Sequence, residues 1–353
     1  MSFLWRWTKR GVLALLIFVL LLLAPVGYTH FACRGDAVEQ ASTTIIDPEN
    51  HRAMAATYLT YPEWQIVFAY DDYAKVVAEK DPHKFGYLKA ITGFWSALCN
   101  LTEVSDASGG APETQNMVYV IGVSFTAELL FKAAYEETIG RIAALLRGRD
   151  RAEADDVSAQ QARDYAEFLH QIPWYKYDFD ADAAELDATG EGMRNGERRF
   201  ALGLEYGAKQ AYAGVIAKAV EAVGPAKLTI RSVIQGIDVD ALRGMGDVTV
   251  ISATPNGVQI ETPRYAAFTA LLKKFAAEGG QVVEIAGNSR IMVTITGDTA
   301  PEALARGTVL AELPRQGYNH RRWLLEVPLA ELSALINDLE ADDQARLEHI
   351  FDY

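Results

Sequence analysis

The chain has 353 residues, 50% of them hydrophobic, and its formal net charge is −14 at pH 7. A chain of this size and apolar content can fill a large core, which excludes wholesale disorder. A surface this acidic repels phosphate backbones, so we do not expect nucleic acid as a partner.

The N-terminus carries a membrane-directed segment. Residues 11–28 are almost entirely apolar and uncharged, and Arg6, Lys9 and Arg10 precede them. A helix of about 20 apolar residues crosses the hydrocarbon core of a bilayer. The positive flank predicts that residues 1–10 stay in the cytoplasm and that the rest of the chain is exported, into the periplasm if the cell is bacterial.

A cleaved signal segment is the alternative interpretation of the same residues. A signal peptide also has a charged start and an apolar core, and it would export the chain to the same side. The residues before Cys33 are His30, Phe31 and Ala32, and the bulky histidine does not suit a small-residue cleavage site. We therefore predict an uncleaved anchor.

The sequence contains two cysteines, Cys33 and Cys99. Export would permit a disulfide between them. Nothing in the sequence shows that they meet, so the pairing is left open. The sequence lacks a Cys/His cluster, an HExxH motif and a phosphate-binding glycine loop, so we predict no metal site and no cofactor.

After a linker at residues 29–59, we predict a mainly helical domain at residues 60–224. Thr60 and Glu63 fit a capping box, which indicates a helix running to about residue 79. Further helices are expected, from apolar periodicity and breaker residues, at residues 85–98, 115–146, 159–170 and 195–223.

A smaller α+β domain is predicted at residues 225–353, and the fold class of the whole is α+β. Two β-hairpins are expected, one pairing 248–253 with 258–262 and one pairing 281–285 with 291–295. We find no internal repeat. The other expected elements are strands at 308–313 and 322–327 and helices at 265–277, 329–339 and 342–351.

The sequence does not identify a catalytic residue. Glu63, Glu128 and His170 are the candidates, because a buried carboxylate or imidazole can exchange protons. Glu128 and Lys132 are spaced for an ion pair along one helix, as are Glu205 and Lys209. The alternative is that these charges only solubilise or cap their helices.

An aromatic stretch supplies candidate binding residues, namely Trp174, Tyr175 and Tyr177. Together with Arg198 and Arg199 they could line a groove, because Trp, Tyr and Arg dominate binding surfaces. The alternative is that the aromatic rings pack on the helical domain and that the arginines form ion pairs.

These observations favour a single-pass, membrane-anchored envelope protein whose exported part binds or scaffolds a partner. The expected partners are the membrane, through the N-terminal helix, and an envelope protein. The alternative is a membrane-anchored enzyme that uses carboxylate, tyrosine and histidine groups of the helical domain on a small or lipid-like substrate.

Overall fold

The computed structural model describes residues 2–36, 44–223 and 228–351. Helices form the first part of the chain and sheets with helices form the second, so the predicted mixture of helix and sheet is confirmed. The predicted domain boundary at residues 224–225 and residues 37–43 of the predicted linker lie outside the described residues.

An apolar helix at the N-terminus is confirmed. It belongs to a series of helices: α1 (Ser2–Ala32), α2 (Met54–Tyr58), α3 (Tyr61–Glu79), α4 (Tyr87–Ala107), α5 (Pro112–Tyr135), α6 (Arg141–Arg147), α7 (Glu153–Leu169), α8 (Phe179–Asp187) and α9 (Met193–Val223). A π-helical turn, Glu136–Gly140, joins α5 to α6. By length and composition, Thr8–Ala32 and Pro112–Arg147 could each cross a membrane.

The second half of α1 packs against the body of the protein. Leu22 and Thr29 are buried, and the ring of Phe18 lies 5.5 Å from that of Phe131 on α5. A disulfide joins Cys33, directly after α1, to Cys99 on α4. The end of α1 is therefore fixed covalently to the helical part.

Part of the predicted linker is built into the fold. The backbone amides of Ile45 and Ile46 donate hydrogen bonds to the Glu284 carboxylate, at 2.5 and 3.1 Å. Met54 and Tyr58 of α2 are buried in the largest apolar core. That core combines residues of α3 with residues of the sheets, so the predicted division into two domains stays a prediction.

The C-terminal strands are β1 (Thr229–Gln235), β2 (Thr249–Thr254), β3 (Gly257–Pro263), β4 (Gln281–Ile285), β5 (Arg290–Gly297), β6 (Thr308–Pro314), β7 (Arg321–Pro328) and β8 (Ala345–Ile350). Among the described residues they form two four-stranded sheets, ordered β2-β3-β1-β4 and β6-β7-β5-β8. Three helices accompany them: α10 (Val239–Arg243), α11 (Ala266–Ala277) and α12 (Leu329–Glu340).

The predicted hairpin of β2 and β3 is confirmed, but the predicted pairing of β4 with β5 is wrong. A single bridge between Ile285 and Asn288 closes the turn, after which the strands enter different sheets. β4 pairs with β1, whereas β5 pairs with β7 and β8. The predicted final helix at 342–351 is also wrong, since β8 occupies it and buries Leu347 and His349 with a strand period of two.

The two sheets have the same topology. Each is built from a strand, a short helix, two strands, a helix and a strand; the short helix is α10 in the first unit and the 3₁₀ helix Glu302–Arg306 in the second. In both, the third strand lies beside the first, and the second and fourth strands lie at the edges. This is the connectivity of the ferredoxin-like βαββαβ unit. The register shifts also correspond, in β1 and β5 and again in β2 and β6. The chain thus contains a structural repeat that we did not find in the sequence.

The helical part packs against the C-terminal part of the chain at the second sheet. β5 is buried along almost its whole length, because α3 packs on this sheet and α12 contacts β7 and β8. The Phe68 ring of α3 lies 3.8 Å from the guanidinium carbon of Arg322, and the Trp64 ring lies 3.6 Å from that of His349. These contacts hold α3, which bears the candidate Glu63, against the second sheet.

Candidate functional site

A group of ionised side chains lies inside the helical part, between α5 and α9. The Lys132 ammonium is 3.0 Å from the Glu205 carboxylate, and that of Lys209 is 2.9 Å from Glu205 and 2.9 Å from Glu128. Their side chains are 10–30% exposed. Positive and negative charges alternate, so each lysine has a carboxylate partner.

Aromatic rings from neighbouring helices enclose these ion pairs. Tyr70 of α3 donates a hydrogen bond of 2.6 Å to Glu128. The Lys209 ammonium lies 5.1 Å from the ring centroids of both Tyr70 and Tyr165, and that of Lys132 lies 4.2 Å from the Tyr73 ring. A desolvated ammonium over an aromatic face is attracted by the ring quadrupole, so the rings replace part of the lost hydration.

The cavity beside this cluster is small, at about 30 Å³. Its wall includes Tyr165, Gln161, Tyr206 and Asp182. A water molecule needs about 10–15 Å³ of such space, so the cavity has room for about two or three waters. Substrate pockets are usually about ten times larger or more, and this geometry does not accommodate an organic substrate.

A second ionic network lies further along α9. Arg198, 1% exposed, donates to Glu136 at 2.8 Å and to Glu197. Arg194 donates to Asp155 at 2.8 Å and to Glu197. The network leaves Arg198 inaccessible to a binding partner, whereas Arg199 donates to the Thr189 carbonyl at 2.6 Å.

The candidate aromatic groove is not assembled in this conformation. Trp174 stacks on Tyr212 of α9 at 5.4 Å, with Tyr175 next to it. Tyr212 lies 14 residues beyond Arg198, which is about 21 Å along a helix. Tyr177 donates to Asp182 at 3.0 Å. Trp174 and Tyr175 therefore lie away from Arg198, whereas Asp182, the partner of Tyr177, lines the same small cavity as Arg198. A binding role for any of these residues stays a prediction.

The other two catalytic candidates are His170, which bonds to Asp71 of α3, and Glu63, which lies on α3. The Nε2 atom of His170 is 3.0 Å from Asp71, and its ring lies 5.9 Å from Trp64. Burial opposes protonation of His170, but the hydrogen bond with Asp71 and the negative charges of Asp71 and Glu348 together outweigh it and raise the pKa. Burial raises the pKa of Glu63 to about 7, although the charge of Arg264 opposes this.

Sequence reasoning missed the polar groups between α3 and the second sheet. Arg322 donates to Glu348 at 2.7 Å, and Asp72 accepts from the Gln316 amide at 2.7 Å. Burial raises the pKa of Asp72 to about 6, although the charge of Arg322 opposes this. Trp64 and Phe68 signalled a buried face of α3, but nothing in the sequence indicated that ionised groups would lie against it.

An apolar surface is the other unusual feature of the helical part. We call it the outward face and define it by Val120, Phe131, Leu145, Phe200, Leu204 and Val215. These side chains are 61–81% exposed and lie on α5, α6 and α9. An exposed apolar surface of this kind marks a contact with a protein or a membrane.

Titration of Glu63 gives a testable pH effect. Its raised pKa means that the folded state binds more protons than the unfolded state between about pH 4.5 and 7, so its contribution to stability falls as pH rises through that window. We expect Glu63→Gln to raise the melting temperature relative to the parent at pH 8 and to change it little at pH 4.5. Thermal unfolding of both proteins at the two pH values measures this.

The control is Glu167→Gln on the exposed side of α7. This change should have the same small effect at both pH values. A pH-independent effect of Glu63→Gln would show that Glu63 is solvated in the folded protein.

No protein-family model, curated protein or solved structure matches this chain. Function is therefore inferred from the structure alone.

Proposed function

We propose that the chain is a single-pass envelope protein with a cytoplasmic N-terminus, and that its exported body binds a partner protein. The observation that carries this proposal is the disulfide between Cys33 and Cys99. Disulfides persist in oxidising compartments and are rare in the cytosol. Cys33 directly follows α1, so the chain is exported from that point onward.

The packing of α1 supports an anchor over a cleaved signal. Leu22 is 9% and Thr29 1% exposed, so the second half of α1 is part of the folded body. Removal of α1 would abolish these buried contacts and the contact with the Phe131 ring. Residues 11–17 of α1, including Leu13 and Leu16, are exposed and apolar, as a lipid-facing helix requires.

The edge strand β2 supports a partner-binding role. Thr249–Thr254 contains no charged residue, and Ile251 is 42% exposed. Exposed edges usually carry charges, proline or bulges that prevent pairing, and β2 has only a bulge near Val250. Such an edge can accept an extended segment of a partner as an additional strand.

The interior of the helical part favours binding over catalysis. Glu128 is engaged by Tyr70 and Lys209, and the adjoining cavity takes only water. An enzyme would need a larger pocket at this place. The binding role therefore fits the geometry better than the alternative of a membrane-anchored enzyme that acts on a small or lipid-like substrate.

A reporter fusion tests the export. Alkaline phosphatase fused after residue 351 should be active in intact cells, because that enzyme folds only where its own disulfides form. The fusion should keep α1, so the mass of the purified product should include residues 2–32. An inactive phosphatase fusion, together with an active fusion of a cytosolic reporter at the same position, would overturn the proposal.

A photo-crosslinking amino acid at position 251 tests the partner site. We expect a discrete protein adduct in native membranes, and a weaker one from Val309, which is similarly exposed on the edge strand β6, a strand that contains the charged Glu312. Equal adducts at both positions, or none, would argue against strand addition at β2.

A further inference from the structure

We infer that the outward face is embedded in the hydrocarbon of the bilayer, beside α1. The helical part would then be a membrane-embedded body and not a water-soluble domain on a tether. Like the proposed function, this inference takes α1 as lying in the membrane. It adds that α5 and α9 lie there too, with their apolar side chains against lipid.

The position of α1 fixes the depth of α5. The His30 ring lies 6.3 Å from Tyr119, and the Phe18 ring lies 5.5 Å from Phe131. The two helices thus run antiparallel over twelve residues, which is about 18 Å of helix. Phe18 lies near the middle of the apolar segment at 11–28. If that segment is in the bilayer, α5 enters hydrocarbon at least as far as Phe131.

The neighbouring helix α9 must enter the hydrocarbon to a similar depth, because it packs beside α5. Glu128 pairs with Lys209, and Glu136 pairs with Arg198, so α9 runs antiparallel beside α5. Leu204 therefore lies at about the level of Lys132 and Phe131. Leu204 is 70% exposed, which in water would leave a large apolar side chain uncovered.

The charges of this layer point away from the outward face. Lys132, Glu205 and Lys209 pair with one another and with Glu128 on the side of α3 and α7. A charged side chain in hydrocarbon is costly, and in membrane proteins such groups face the interior and pair. Cation–π contacts to Tyr70 and Tyr73 further compensate their burial.

The opposite side of the helical part is suited to water. The exposed positions of α7 include Asp156 and Gln160, and Asp156 is 67% exposed while paired with Arg151. The body is therefore apolar on one side and charged on the other. This asymmetry fits a helical part that has lipid against one side and water against the other.

Spin labels can locate the surface in the full-length protein. Leu204→Cys and Val120→Cys place labels on the outward face, Leu13→Cys on the first half of α1, and Gln160→Cys on α7. The native cysteines are bonded to each other and do not take the label. Accessibility to oxygen and to a water-soluble nickel chelate is measured in vesicles of phosphatidylcholine and phosphatidylglycerol.

We expect the ratio of oxygen to nickel accessibility at position 204 to match or exceed that at position 13 and to exceed that at position 160 several-fold. Position 120 lies level with the end of the apolar segment of α1, so its ratio should fall between those at positions 204 and 160. A ratio at 120 and 204 equal to that at 160 would overturn the inference. Shielding from both reagents would also overturn it, in favour of a second copy or a partner helix on this face.

The reference at Leu13 separates the two proposals. If Leu13 is lipid-exposed while positions 120 and 204 are not, the anchor stands and only the embedded face is wrong. If the label at Leu13 is itself exposed to water, the anchor assigned under the proposed function is wrong and the embedded face with it.

Discussion

Replacing Cys33 and Cys99 together by serine is expected to lower the free energy of unfolding by about 4 kcal/mol. The bond joins residues with a sequence separation of 66. Breaking it raises the conformational entropy of the unfolded chain. The folded state also loses the covalent link between the end of α1 and α4. Urea unfolding of the full-length protein in detergent micelles measures the difference.

Reduction of the parent protein provides the control for this result. The reduced parent should unfold at the same urea concentration as the double serine variant, and reductant should not affect that variant further. If the double variant is as stable as the oxidised parent, then the cysteines are not paired in the native protein. Export could then no longer be inferred from the disulfide.

Replacing Arg198 by leucine is expected to destabilise the protein by about 3–5 kcal/mol. Arg198 is 1% exposed, and its removal leaves Glu136 buried without its cation and leaves Glu197 with Arg194 alone. An unpaired buried carboxylate keeps the cost of desolvation and loses its compensation. The same unfolding measurement in micelles gives the value.

Arg199→Leu is the matched control, since the adjacent side chain bonds only to carbonyl and hydroxyl oxygens near Thr189. Its loss should cost about 1 kcal/mol. Adding Glu136→Gln to Arg198→Leu should recover part of the lost stability. If Arg198→Leu left stability unchanged but abolished crosslinking to a partner, Arg198 would be a binding residue, as the sequence suggested.

The helices were the most predictable part of the fold. The apolar residues of α3 and α11 recur at helical spacing, and the structure buries Trp64, Phe68, Phe268 and Leu272. The details at helix ends were less predictable. Thr60 does not cap α3, because its hydroxyl donates to the Thr57 carbonyl of the preceding helix, and the backbone at Thr60 is itself helical.

Strand partners were hard to predict because they depend on distant residues. β4 and β5 flank a turn with suitable residues, Gly287 and Asn288, yet each pairs elsewhere. The apolar residues of segment 342–351 are compatible with either helical or strand spacing. Pairing with β5 makes the segment a strand. The structural repeat was missed because topology, and not residue identity, is what the two units share.

The candidate site, too, was only partly predictable from the sequence. The spacing of Glu205 and Lys209 correctly predicted an ion pair, at 2.9 Å. Lys132 is bonded to Glu205 across 73 residues, and not to the neighbouring Glu128 that the spacing favoured. Sequence periodicity indicates which residues share a helix face, but not which helices meet. Glu128 was singled out from sequence, whereas its partners emerged only from the fold.

The duplicated βαββαβ unit has a consequence for how the protein holds together. α11 contacts β8 of the second unit, and α12 contacts β4 of the first, where Ser333 donates to the Gly280 carbonyl at 2.7 Å. Two separate polypeptides exchanging contacts in this way would dissociate on dilution. Here four residues between β4 and β5 connect the partners, so their association is intramolecular and independent of expression level.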